Sequence, residues 1–278
     1  METLKDNNAV QFNSNSNINI NINELLMDNK KLISFIGSRQ SGTTFLINNV
    51  SLILARKNIS VGILDLTSNK SLYYIFTKNK ESIREEVKNT LKNLNDGNPK
   101  GIEVESNLTV YTDLPREKDE NLKIEKILET LLKKHQIVIF DTDFTTDISY
   151  FKYSEQIYLV QTMDILTIRP LTEFLSKLKS QNAMNSEKLR IILNKFIELN
   201  DITIKDLIGG LAFYNDTSMA YMQQLFEKNG MKYTTIPFDQ SAYEIYLQDV
   251  VKYNISIDKY NEEFRYYLER LANDIMLE

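Results

Sequence analysis

Seven short apolar runs recur along this chain, most of them followed by a segment whose apolar residues are spaced for a helix. They are KLISFIG (31–37), ISVGILDL (59–66), NLTVYTDLP (107–115), QIVIFDTDF (136–144), EQIYLVQT (155–162), KLRIILNKF (188–196) and YTTIPFD (233–239). Runs of this length with little polar alternation are strands buried on both faces. Strands buried on both faces, alternating with helices, form a parallel sheet covered by helices on each side. The sequence therefore predicts a doubly wound α/β fold with a central, mostly parallel sheet of about seven strands. At 278 residues and 42% hydrophobic composition the chain can bury a large core.

The pattern starts near residue 30. Residues 1–29 contain NSNSNINININE, an Asn-rich stretch of low complexity. It reads as a tail, or, because Ile18, Ile20 and Ile22 share one face of an extended chain, as an added edge strand or docking peptide. Residues 30–278 are expected to be one domain. The polar stretch 78–100 reads as a surface helix closed by an Asp-Gly/Asn-Pro turn, and SMAYMQQLFEKNG (218–230) as a further helix.

Composition removes several chemistries. There is no Cys, which excludes disulfides, Cys-ligated zinc and thiol catalysis. The single His135 argues against imidazole metal sites and a Ser-His-Asp triad, and it reads as a cation at a helix C-terminus. A formal net charge of -5 gives no global attraction to nucleic acid, so nucleic acid is not the expected partner. No apolar run approaches the ~20 residues of a membrane span, and the start lacks the pattern of a signal peptide. A cytoplasmic protein is expected.

The stretch FIGSRQSGTTFLINN (35–49) carries the strongest chemical signal. Gly37 and Gly42 bracket Ser38, Arg39, Gln40 and Ser41, and Thr43 and Thr44 follow, between a strand and a helix. This is the outline of a phosphate-binding loop, in which backbone N–H groups and a helix N-terminus face an anion. Thr44 stands at the magnesium-ligand position, and Thr43 at the position of the loop lysine. Arg39 either replaces that charge in part or is a solvated loop cation. Asp141, at the end of the strand QIVIFDTDF, suits the orientation of magnesium, with Asp143 and Asp147 close behind. Asp65 ends the strand after the first helix and is expected beside the loop.

These segments together resemble the ParA/MinD family of P-loop ATPases over roughly residues 31–275, in the family's order. The resemblance implies binding of ATP and Mg2+ at residues 37–44, with Thr44, Asp65 and Asp141 around the metal. It places Asn194 of RIILNKF and Pro237 of TTIPFD beside the adenine. It implies a homodimer and a protein partner. The helix ILTIRPLTEFLSKLK, with Arg169, resembles the CpaE/TadZ subfamily, whose members place pilus-assembly machinery.

Departures from the family pattern shape the expected function. Ser38 stands where the family has a signature lysine that crosses to the partner's phosphates, Thr43 replaces the second lysine, and Thr67 replaces the second Asp of an Asp-x-Asp pair. Loss of a single such stabiliser costs about 3–4 kcal/mol of barrier lowering. The expectation is a pseudo-ATPase that binds nucleotide weakly or not at all. It would position or assemble a membrane-associated machine such as a pilus, secretion or conjugation apparatus. A slow ATPase and a plasmid or chromosome partition protein are the alternatives. The acidic C-terminal segment YYLERLANDIMLE is amphipathic and is expected to pack on the sheet.

Overall fold

In the computed structural model, residues 22, 26, 29–77, 81–115, 122–164, 168–209 and 232–277 are described. The seven expected strands are present as β1 (Lys31–Gly37), β2 (Val61–Asp65), β4 (Leu108–Tyr111), β5 (Ile137–Thr142), β6 (Gln156–Gln161), β7 (Leu189–Phe196) and β8 (Lys232–Pro237). An eighth, β3 (Ile102–Glu105), pairs antiparallel with β4 across a tight turn in which Asn107 takes a φ of 66°. The sheet order is β3-β4-β2-β5-β1-β6-β7-β8, and every other pairing is parallel. β1, β2, β4, β5 and β6 are buried nearly throughout, as expected of strands covered on both faces.

The helices are α1 (Thr43–Arg56), α2 (Ser71–Phe76), α3 (Glu81–Val87), α4 (Thr90–Asn95), α5 (Ile124–Lys134), α6 (Ile148–Tyr153), α7 (Ile168–Ser180), α8 (Ile204–Gly209), α9 (Gln240–Val251) and α10 (Glu262–Leu277). α1 lies between the sheet and α10, so its residues from Leu46 to Ala55 are all buried. α10 turns Phe264, Leu268, Leu271, Ala272 and Ile275 into the same core. Lys31 Nζ closes its C-terminus by donating to the carbonyls of Ile275 and Met276 at 3.0 and 2.9 Å. The other face of the sheet is covered by α7 and α8 over β6 and β7, and by α5 over β1 and β5.

Two local expectations change. The surface helix expected over 78–100 is two short helices, broken where Asp113 accepts the Thr90 N–H at 3.1 Å, although the turn at Gly97 (φ 85°) is present. His135 is not a surface cation: it is 2% exposed, with Nδ1 3.0 Å from Ser60 Oγ and Nε2 2.8 Å from the Tyr111 hydroxyl. Of the N-terminal segment, Ile22 is buried in the core under α5 and Leu26 packs beside it. The helix expected over 218–230 lies outside the described residues. Among the described residues, no helix is long and apolar enough to cross a membrane.

Candidate functional site

β1 runs between β5 and β6, which brings the loop after Gly37 to the carboxyl edge of the sheet at its centre, where open α/β sheets bind ligands. The loop is compact. Ser41 N–H donates to Ser38 O at 3.0 Å, closing a turn over Arg39 and Gln40, and Gln40 takes a φ of 65°. Gly37 permits this closeness: a Cβ there would lie 2.2 Å from Ser41 Oγ and 2.5 Å from Thr43 Oγ1. The Thr43 hydroxyl bonds Ser41 Oγ at 2.9 Å, so its side chain turns back on the loop. Gly42 has a φ of 87°, and a Cβ would meet Asn194 Nδ2 at 2.4 Å. The opening turn of α1 has no capping side chain and no acidic residue. Its backbone donors and its dipole therefore favour an anion. The loop and this first turn line a cleft of about 830 Å³.

Across the cleft, Thr44 Oγ1 donates to Asp141 Oδ2 at 2.8 Å, which joins the expected magnesium ligand to the expected magnesium-orienting acid. Burial, followed by repulsion from Asp65, raises the Asp141 pKa well above the usual carboxylate range. A cation beside Thr44 and Asp141 would favour the ionised carboxylate and bring that pKa down. Asp143 also lines the cleft, with its oxygens filled by the N–H and hydroxyl groups of Ser68 and Thr145. Burial works to raise its pKa, but the bonds from Thr145 and Ser68 outweigh burial and lower it.

Asp65 is placed differently from the sequence expectation. It pairs in register with Asp141 but does not line the cleft. It is 1% exposed, and its carboxylate accepts from Thr67 N–H, Thr67 Oγ1 (2.6 Å), Leu72 N–H and Thr112 Oγ1. Thr67 is therefore tied to Asp65, and Lys70 Nζ is turned to the Asp65 carbonyl at 2.6 Å. Among the described residues no group of three acidic or imidazole side chains could hold a metal ion, so a magnesium ion at Thr44 and Asp141 would take its other ligands from phosphate and water.

Beside the loop is a small apolar pocket of about 90 Å³, lined by Gly42, Phe45, Asn194, Lys195, Pro237, Phe238, Tyr243 and Tyr246 among others. Phe45 and Tyr246 meet edge to face, with centroids 4.9 Å apart. Asn194 and Pro237 are brought together here. Asn194 is nearly buried, and its Nδ2 donates to Ser41 O at 2.8 Å, so it also holds the loop. Gly37, Ser38, Arg39, Gln40, Ser41, Gly42, Thr43, Thr44 and Asp141 all line the adjoining cleft. Sequence reasoning missed Tyr243, Tyr246 and Lys195. The signal for the tyrosines was their position in the first two turns of a helix that follows directly on the Pro237 segment.

No protein-family model matches the chain, and no curated protein matches it. Solved structures do match its fold. A plasmid partition protein of Borrelia burgdorferi bound to AMPPNP has a TM-score of 0.58 at 15% identity, over 88% of this chain and 99% of the other. McdA of Cyanothece in complex with ATP has a TM-score of 0.60 at 12% identity, over 90% and 98%. MinD of Pyrococcus horikoshii with Mg-ADP has a TM-score of 0.55 at 16% identity, over 87% and 95%. The chain thus shares its fold, an eight-stranded and mostly parallel sheet with helices on both faces, with solved proteins of the ParA/MinD type.

Proposed function

We propose that the protein is a positioning or assembly factor of the ParA/MinD type, built on a degenerate nucleotide site, and that it acts by assembling with a protein partner rather than by rapid ATP turnover. The observation that carries this reading is the state of the cleft. Three features support binding of a nucleoside phosphate: an uncapped helix N-terminus, the Thr44–Asp141 pair and an apolar pocket at Asn194 and Pro237. The positions that would drive hydrolysis hold hydroxyls bonded to their neighbours, Thr43 to Ser41 and Thr67 to Asp65. A bound nucleotide would supply phosphate charge to the helix N-terminus, and its magnesium ion would sit at Thr44 and Asp141. The chain's own contribution is to bind and orient.

Support for a partner-docking role comes from the surface beside the cleft. Tyr243, Leu247 and Val251 follow one another at four-residue spacing on α9 and are 45%, 46% and 76% exposed. In a related fold, a MinC:MinD complex of Aquifex aeolicus shows a neighbour assembled with a protein partner. The machine served would be membrane-associated, such as a pilus, secretion or conjugation apparatus. Calorimetry and phosphate release test the reading together. ATP and ADP should bind with similar, weak affinity, and turnover should stay below about one per minute, at the slow end for enzymes. Faster turnover that Thr44→Ala abolishes would establish a working ATPase instead.

A further inference from the structure

We propose that a pocket at the amino end of the sheet, between strands β6 to β8 and α10, binds the carboxylate side chains of an acidic segment of a protein partner. The proposal names the chemistry of that partner and rests on the reading of the chain as a partner-docking factor. It does not rest on the nucleotide cleft, which lies at the opposite, carboxyl edge. Strand register builds the floor of the pocket. Tyr158 on β6 pairs with Arg190 on β7, and Arg190 with Lys232 on β8, so the three stand in one row across the sheet. Ile192, two residues after Arg190, and Ile236, four after Lys232, lie with Tyr158 in the core that α10 covers. Strand alternation therefore puts Arg190 and Lys232 on that same face. Arg270 and Asp274, one turn apart on α10, form the facing wall, and the cavity between them measures about 280 Å³.

Charge selects the ligand. Cations from three elements, Arg190, Lys232 and Arg270, meet a single acid, Asp274, among the described residues that line the cavity. In a chain with a formal net charge of -5 this is a local reversal of sign. A concave surface of one sign concentrates groups of the other. Arg190 is half-buried and held in place, because its Nη1 donates to the carbonyls of Glu187 and Leu189 at 2.6 and 2.9 Å. A guanidinium fixed in this way loses little freedom when it meets a carboxylate, whose two oxygens match its planar fork. The rim points to a peptide. Tyr233 lines the cavity, Tyr266 stands on α10 one turn before Arg270, and both rings are exposed. Tyrosine and arginine are the residue types enriched where proteins bind one another. β8 ends the strand order of the sheet, so the pocket opens at a border that an extended segment can approach from the side.

The test is fluorescence anisotropy of labelled hexaglutamate on the full chain without nucleotide, with labelled hexalysine as the control and circular dichroism to show that each variant is folded. Arg270→Gln and Lys232→Gln, both at exposed positions, should each weaken hexaglutamate about threefold or more. Asp274→Asn, which removes the acid of the wall, should strengthen it about twofold. Lys100→Gln, which removes an exposed cation outside the pocket, should leave it unchanged. Equal losses from Lys100→Gln and Arg270→Gln would overturn the proposal in favour of diffuse attraction to surface cations. Full displacement of hexaglutamate by an equal concentration of inorganic phosphate would overturn the peptide in favour of a free-anion site. A wild type that binds hexaglutamate no better than hexalysine would overturn the pocket and leave the proposed function standing. That function fails separately, through rapid phosphate release from ATP, which is measured without peptide.

Discussion

Single residues carry opposite electrostatic strains at the two ends of the sheet. At the carboxyl edge, Asp141 is held above its ordinary pKa by burial and by Asp65, a state that a metal ion would relieve. At the opposite edge, His135 is held neutral. Burial, then repulsion from Lys134 and Lys30, lowers its pKa to about 3. The contacts suit a neutral ring, because one nitrogen can accept from Ser60 or Tyr111 while the other donates. The consequence for stability has a definite sign. An unfolded His, with a pKa near 6.5, takes up a proton that the folded one refuses. The His135 contribution is therefore complete above about pH 6.5 and is lost as the pH falls from there towards the folded value, by at most about 1.4 kcal/mol per pH unit. Urea unfolding should show the wild type losing about 1 kcal/mol more than His135→Gln between pH 7 and pH 5.5. Parallel losses in the two proteins would mean that His135 titrates normally in the folded state.

Elements were legible in the sequence wherever burial is decided by the element itself. Five of the seven apolar runs, β1, β2, β4, β5 and β6, became strands buried nearly throughout, a condition that leaves a local pattern, whereas β8 buries only Ile236 fully. β3 escaped because its sequence, IEVE, alternates and its strand is only half covered, so that it exists through pairing with β4. The break between α3 and α4 depends on Asp113, a residue distant in sequence. The loop and Asp141 were readable as a spacing and a strand end. The withdrawal of Asp65 was not, because it depends on the hydroxyls of Thr67 and Thr112. Nor was the contact of Lys195 with the Gln40 carbonyl, since it lies at a register shift between β7 and β8. α10 shows the legible case. Its amphipathic pattern predicted packing on the sheet, and Leu268 is fully buried among residues of α1 and the sheet. Leu268→Ala removes that contact and leaves a cavity, which should cost about 2–5 kcal/mol in chemical denaturation. A loss below about 1 kcal/mol would mean that α10 packs only loosely on α1.

At the scale of the whole molecule, the question is what could bring two copies together. In proteins resembling ParA and MinD, ATP is sandwiched at the loop face and a signature lysine crosses to the partner's phosphates. Ser38 stands at that position and carries no charge. Lys195 cannot replace it in that role, because its amine is anchored on the carbonyl of its own loop. Two clefts filled with phosphate and brought face to face would repel one another, and Arg39 is the one loop cation left between them. The chain as a whole has a formal charge of -5, which adds to that repulsion. What the same face offers instead is apolar: Tyr243, Leu247 and Val251 on α9, with Phe238 beside them, all substantially exposed. Burying such a surface releases water whether or not nucleotide is bound. The oligomeric state should therefore be independent of nucleotide, with the same molar mass by light scattering in the presence and absence of ATP and magnesium, and Arg39→Ala should leave it unchanged. A monomer that doubles in mass only when ATP and magnesium are added would show that the phosphates attract a partner, and that a cation other than Ser38's missing lysine crosses the interface.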